Sequence, residues 1–238
     1  MTQHSVVDHQ TWLEARKELL EKEKQFTRAR AALSEARRAL PWERVDKSYV
    51  FEGSNGERTL GELFEGRSQL IVYHFMFAPE WQLGCKSCSF WADNFNGIIL
   101  HLNQRDVSFV AISRAPREKL AAQQQRMGWS FEWLSSGNGD FNFDFQASFR
   151  ADDLETGKAQ YNYRKLESKR TDLVGISVFY RDEDGVIFHT YSCYSRGVDM
   201  LNTAYHYLDL VPKGRDEAGL PFAQSWGQLR DEYPRKAG

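Results

Sequence analysis

Gln69-Leu-Ile-Val-Tyr-His-Phe-Met-Phe77, Ala78-Pro-Glu-Trp-Gln-Leu-Gly84, Cys85-Lys86-Ser87-Cys88, then Ser89 to Arg105 and Val107-Ser-Phe-Val-Ala-Ile112, form the stretch that decides the fold. The first run is short, apolar and rich in β-branched and aromatic residues, the pattern of a strand buried on both faces. Ser89 to Arg105 shows helical periodicity through Phe90, Trp91, Phe95, Ile98, Ile99 and Leu102, and residues 107–112 read as a second buried strand. Strand, helix, strand implies a parallel βαβ unit with a right-handed crossover, so the chain is expected to be α/β.

Downstream, Pro116 to Met127 reads as a helix closed by Gly128, and Trp129-Ser-Phe-Glu-Trp-Leu134 as a short strand. Residues 135–163, with the alternation Phe141-Asn-Phe-Asp-Phe145, are expected to be an insertion lying over the core. Val174-Gly-Ile-Ser-Val-Phe-Tyr180 and Val186-Ile-Phe-His-Thr-Tyr191 flank an Asp-Gly turn and predict a hairpin. Val198 to Leu210 predicts a closing helix, and the tail from Arg215 is loop-like. Upstream, Tyr49-Val-Phe-Glu-Gly, a turn at residues 54–57 and Arg58-Thr-Leu read as strand, turn and return.

From Asp8, a candidate N-cap, to Leu40 the sequence lacks Gly and Pro and is rich in helix formers. Trp12, Leu19, Phe26, Leu33 and Leu40 recur every seven residues, a narrow seam that could lie across its own domain, dock on a second copy, or stay solvated. Lys17 with Glu21 and Glu18 with Lys22 are spaced as solvent-facing pairs. Residues 1–42 thus read as a helical arm, 43–214 as the main domain and 215–238 as a tail.

The 238 residues are 41% hydrophobic, enough to bury a full core, and 31 basic against 33 acidic side chains leave a formal charge of −2. No basic field exists to drive nucleic-acid binding. The N-terminus lacks the basic and apolar regions of a signal peptide and no apolar run is long enough for a membrane span, so a cytoplasmic protein is expected.

Of three cysteines, Cys85 and Cys88 sit three apart between a buried strand and a helix. Unpaired amide hydrogens and the positive dipole end at a helix start favour a thiolate, making Cys85 the expected nucleophile. Cys88, one turn later, is placed to resolve a mixed disulfide on Cys85. Lys86 adds a positive charge favouring the thiolate, and Trp81 in the preceding loop could shield the pair or meet a substrate. The alternatives are two small buried side chains, or zinc, for which neither Cys193 nor the histidines show ligand spacing; no metal or cofactor is expected. Cys193 reads as a packed structural thiol. His74 alternates against Tyr73 and Phe75 and could face the first helix as a proton acceptor near Cys88, or be a satisfied core histidine.

Tyr73-His-Phe-Met-Phe77, Gly84-Cys-Lys-Ser-Cys-Ser-Phe90, Ser177-Val-Phe-Tyr180, His189-Thr-Tyr-Ser192 and Pro212-Lys-Gly-Arg-Asp-Glu217 resemble a bacterial family of uncharacterised thioredoxin-like proteins, DUF899. The resemblance covers nearly the whole chain. It implies a thioredoxin-like fold, a central mixed sheet flanked by helices, with dithiol-disulfide oxidoreductase activity at Cys85 and Cys88 on a protein or small-molecule thiol or disulfide. Compared with thioredoxins, Val174 stands where a cis-proline would flank the cysteines, and Phe75 replaces a buried acid. The loop is also similar to that of peroxiredoxins, which place Pro seven and Thr or Ser three residues before the reactive cysteine; here Pro79 is six before Cys85 and Gln82 three before. A thiol peroxidase and a non-catalytic interaction protein, with a homodimer through the arm, complete the expectations.

Overall fold

The computed structural model describes residues 4–137 and 139–234, in two compact units that divide after Pro41. The first is helix α1 (His9–Arg38). Its start is fixed by Asp8, whose carboxylate accepts from the Thr11 N–H at 2.8 Å, and Arg37 and Arg38 complement the dipole in its last turn. Its ion pairs include Glu21–Lys24 at 2.6 Å and Arg16–Glu23 at 2.8 Å, the first of which takes Glu21 away from the expected Lys17.

The second unit carries β1 (Glu43–Arg44), β2 (Val50–Gly53), β3 (Gly56–Thr59), β4 (Gln69–His74), α2 (Lys86–Ala92), α3 (Ile99–Asn103), β5 (Val107–Ser113), α4 (Arg117–Met127) and β6 (Glu132–Ser135). It continues through α5 (Phe141–Asp144), α6 (Ala151–Glu155), β7 (Gln160–Tyr161), β8 (Arg164–Lys165), β9 (Gly175–Arg181), β10 (Ile187–Tyr194) and α7 (Thr203–Leu208). Eight strands form one mixed sheet in the order β1-β10-β9-β4-β5-β6-β2-β3, and β7 and β8 pair separately. β4, β5 and β6 run parallel, while β9 is antiparallel to β4 and β10 to β9. A parallel βαβ unit extended by an antiparallel hairpin and a closing helix is the thioredoxin-like α/β arrangement.

β4 is central, so both its faces are covered. Tyr73 joins one core with Phe75, Cys88, Trp91, Phe95 and Trp133, and Leu70 and Val72 join the other with Phe64, Phe141 and Phe179. Past His74 the chain keeps bonding to its neighbours: the Phe75 N–H donates to Ile112 O at 2.9 Å, and Met76 O accepts from the Cys85 N–H at 3.0 Å.

Two expectations are corrected. The helix read over 89–105 begins earlier, at Lys86, and breaks into α2 and α3. Asn94 donates back to Phe90 O and Asn96 to Gly128 O, so these side chains compete with helical hydrogen bonding between the two halves. The closing helix is a 3-10 segment, Ser195–Leu201, followed by α7, because Asn202 accepts from the Tyr205 N–H and restarts the helix as its cap. Within 135–163 the Phe141–Phe145 alternation is helical: α5 puts Phe141 and Phe145 on one buried face and leaves Phe143 to the Arg114 and Arg150 guanidinium groups.

One buried ion pair anchors the strap leading into β9. Arg114 grips Asp172 with bonds of 2.9 and 2.6 Å, and Ser148 donates to the same carboxylate at 2.7 Å. With Asp172 2% exposed, Arg114→Met strands a buried carboxylate and is expected to cost about 3 kcal/mol or more in urea unfolding. Arg114→Met combined with Asp172→Leu is expected to recover part of that loss.

Candidate functional site

The loop before the cysteines is held rigidly. Lys119 donates to Pro79 O at 2.8 Å and Trp81 O at 2.7 Å. The Gly84 N–H donates to the buried Gln123 amide at 2.7 Å, and a Cβ on Gly84 would meet Phe75 at 2.7 Å, so only glycine fits there. Cys85 then caps α2: its carbonyl accepts from the Ser89 N–H at 2.9 Å and the Ser89 hydroxyl at 3.0 Å. Cys88, one turn later, is buried, and Cys85 is partly exposed; the three cysteines are free of disulfides.

This arrangement splits the two thiols. Cys85 is pulled down to about 6, chiefly because the Cys88 thiol donates to its sulfur, with the Cys88 and Ser87 backbone N–H groups adding to this against the opposing effect of burial. Burial pushes Cys88 well up, and the neighbouring Cys85 thiolate pushes it further. The nearby Tyr73 hydroxyl opposes that shift. This buried hydroxyl has no hydrogen-bond partner among the described residues, and burial holds the phenol protonated.

Strand alternation therefore sends Tyr73, rather than His74, to the cysteines. His74 lies on the opposite face, stacked on Phe141 with its Nε2 2.9 Å from the Ser177 hydroxyl, and burial lowers it to about 3, so it is neutral. Ser177 continues to Ser192 at 2.9 Å, and Ser192 to His189 at 2.7 Å. His74 is a core histidine and no proton acceptor for Cys88.

Two adjoining cavities of about 210 and 680 Å³ meet at Cys85, sharing Met76, Ser87, Arg170, Phe222 and Gln224. Tyr73, Cys88 and Val174 line the smaller, Trp81 and Lys86 the larger. Of the residues singled out in the sequence, Cys85, Cys88, Trp81 and Lys86 come together. The Lys86 ammonium, however, lies 3.2 Å from Glu232, and the backbone and Cys88 donors stabilise the Cys85 thiolate in its place. Cys193 packs in the same core, near the end of β10, with its thiol 3.5 Å from Gly197 O. No group of three metal-ligating side chains occurs among the described residues.

Two parts of the site have weak sequence signals. Tyr73 could have been found from its alternation with Val72. Phe222, Gln224 and Trp226 come from the C-terminal stretch, which is irregular yet pinned: Glu217 accepts from the Tyr205 hydroxyl, the Trp226 indole and the Gln224 N–H, at 2.7 to 2.9 Å, and Leu229 is buried.

A family model described as "Bacterial protein of unknown function (DUF899)" matches residues 1–233. The chain belongs to the DUF899 family. No curated protein matches it. Solved structures similar to this DUF899 chain include peroxidoxin BcpB from Mycobacterium tuberculosis, at 17% identity over 69% of this chain and 94% of that one, TM-score 0.46. A cysteine mutant of peroxiredoxin Q from Xanthomonas campestris is 12% identical over 71% of this chain and 98% of that one, TM-score 0.47. A cysteine mutant of Xylella fastidiosa PrxQ is 11% identical over 70% and 95%, TM-score 0.44. These likenesses are partial and assign no activity to the DUF899 chain. Among its described residues no helix is long and apolar enough to cross a membrane.

The lowered Cys85 gives a pH signature. Its folded value lies below its unfolded one, so its contribution to stability is present at high pH and is lost as pH falls through about 6. Alkylation of Cys85 by iodoacetamide, followed by peptide mass, is expected to rise through a midpoint near pH 6 and plateau by pH ~7.5, whereas an ordinary thiol would titrate near ~8.5.

Proposed function

We propose that the chain is a thiol-disulfide oxidoreductase in which Cys85 is the nucleophile and Cys88 the resolving thiol. The observation that carries this reading is the division of labour within one helical turn: a partly exposed thiol lowered to about 6 and a buried thiol held protonated beside it. The Cys85 thiolate attacks one sulfur of a substrate disulfide, whose other half departs as a thiolate. Cys88 then gives up its proton and displaces the first half, closing a Cys85–Cys88 disulfide. Two electrons pass from the dithiol to the substrate, and a dithiol reductant resets the pair.

Tyr73 is assigned the positioning role that thioredoxins give to a buried acid: its hydroxyl donates to the Cys88 sulfur as that thiol ionises. A peroxidase would use the same Cys85 thiolate, but Gln82 offers no hydroxyl three residues before it and is exposed. Dithiol exchange uses both cysteines as they stand. The arm is proposed to pair with a second copy, because Trp12, Leu19, Phe26 and Leu33 are 49–69% exposed along its heptad seam.

With Ellman's disulfide, the wild-type chain is expected to release two equivalents of thiolate and end with an internal disulfide. Cys88→Ser should release one and retain the other half on Cys85, and Cys85→Ser should leave the site unreactive. Tyr73→Phe is expected to slow the second release roughly tenfold while sparing the first; equal slowing of both would contradict the Tyr73 assignment. For the arm, Phe26→Glu in the full chain is expected to halve the mass found by sedimentation equilibrium, and an unchanged mass would refute pairing through the seam.

A further inference from the structure

The larger cavity beside Cys85 is lined by Lys86, Lys169 and Arg170 and by no carboxylate. Lys86 is engaged by Glu232, whereas Lys169 and Arg170 are exposed with no ion pair among the described residues. Arg170 reaches both cavities, so it stands where they meet at the Cys85 thiol. Its backbone is not left loose: the Arg170 N–H donates to the Ser168 hydroxyl at 3.1 Å. On the other side, Thr171 O accepts from the Phe149 N–H at 2.9 Å and Asp172 is locked by Arg114. Trp81, Phe222 and Trp226 supply apolar wall on the same cavity.

An exposed guanidinium with no ion pair among the described residues, on an anchored backbone beside a reactive thiolate and in a pocket of about 680 Å³, suits a small anion better than a polypeptide; sites for small molecules span ~300–1,000 Å³ with a few placed polar groups. We infer that the substrate is the disulfide of a low-molecular-weight thiol bearing a free carboxylate, bound with the carboxylate on Arg170 and one sulfur at Cys85. This rests on the exchange reading. The Cys85 thiolate forms a bond to the near sulfur as the substrate S–S bond breaks, and the far half leaves as a thiolate that takes a proton from solvent. Cys88 then loses its proton and releases the near half as the second thiol, leaving the protein oxidised and the substrate reduced by two electrons. A dithiol reductant returns the pair to its starting state.

Three small disulfides separate charge from chemistry: dianionic 3,3′-dithiodipropionate, neutral bis(2-hydroxyethyl) disulfide and dicationic cystamine. Oxidation of the full reduced chain is followed by loss of both thiols, each rate divided by that of the same disulfide with a free neutral thiol. The dianion is expected to exceed the neutral compound about fivefold or more at low salt, with cystamine slowest, and the ratio should shrink as salt rises. Arg170→Gln should lower the dianion-to-neutral ratio toward one, while Lys213→Gln, an exposed cation outside the cavity, should keep it. Equal rates, fastest reaction with cystamine, or a ratio untouched by Arg170→Gln would overturn the inference while leaving thiol exchange standing. Failure of all three disulfides to oxidise the folded chain would overturn both.

Discussion

Burial of β4 on both faces is the constraint from which the site follows. The strand pairs in register with β5 on one side and β9 on the other, Leu70 lying opposite Ser108 and Phe179. Its alternation commits each side chain to one of two aromatic cores. Tyr73 is thereby delivered beneath the cysteines and His74 to the far face, and no local rearrangement can exchange them without reversing the whole strand. Because Met76 still bonds to the Cys85 N–H, the sheet also dictates where α2 begins.

Given that placement, electrostatics does the rest. Cys85 stands at the start of α2 with donors around its sulfur, while Cys88 lies one turn deeper in the apolar core. The same burial that would neutralise an isolated thiolate makes Cys88 a protonated donor to its neighbour. Phe75 packs against Trp133 with ring centroids 4.4 Å apart and closes the space beside Gly84. The hydroxyl of Tyr73 is a polar group on this face that lines the cavity with the cysteines.

The fold was legible wherever the code is local and periodic. The apolar runs at 69–77 and 107–112, the Asp-Gly hairpin at 174–191 and the Asp8 cap each announce one element, and the βαβ unit follows from their order. What was hidden depends on contacts distant in sequence. Asn94 and Asn96 look like ordinary helix residues until their amides bond to backbone. Nothing in the tail signals that Phe222 and Gln224 reach the cavity, since Glu217 sets their position through Tyr205 of α7. At the site, Cys85 and Cys88 were legible from spacing and placement, and Trp81 from proximity. His74 is the titratable residue of the pair, but the sheet decides which neighbour faces the thiols, and that is Tyr73.

A redox titration of the Cys85–Cys88 pair in thiol-disulfide buffers, read by the masses of alkylated and oxidised chain, tests the central claim most directly. A cooperative two-electron couple with one internal disulfide is predicted, with a midpoint between roughly −300 and −120 mV. Independent oxidation of the two thiols, or no internal disulfide anywhere in that range, would contradict it.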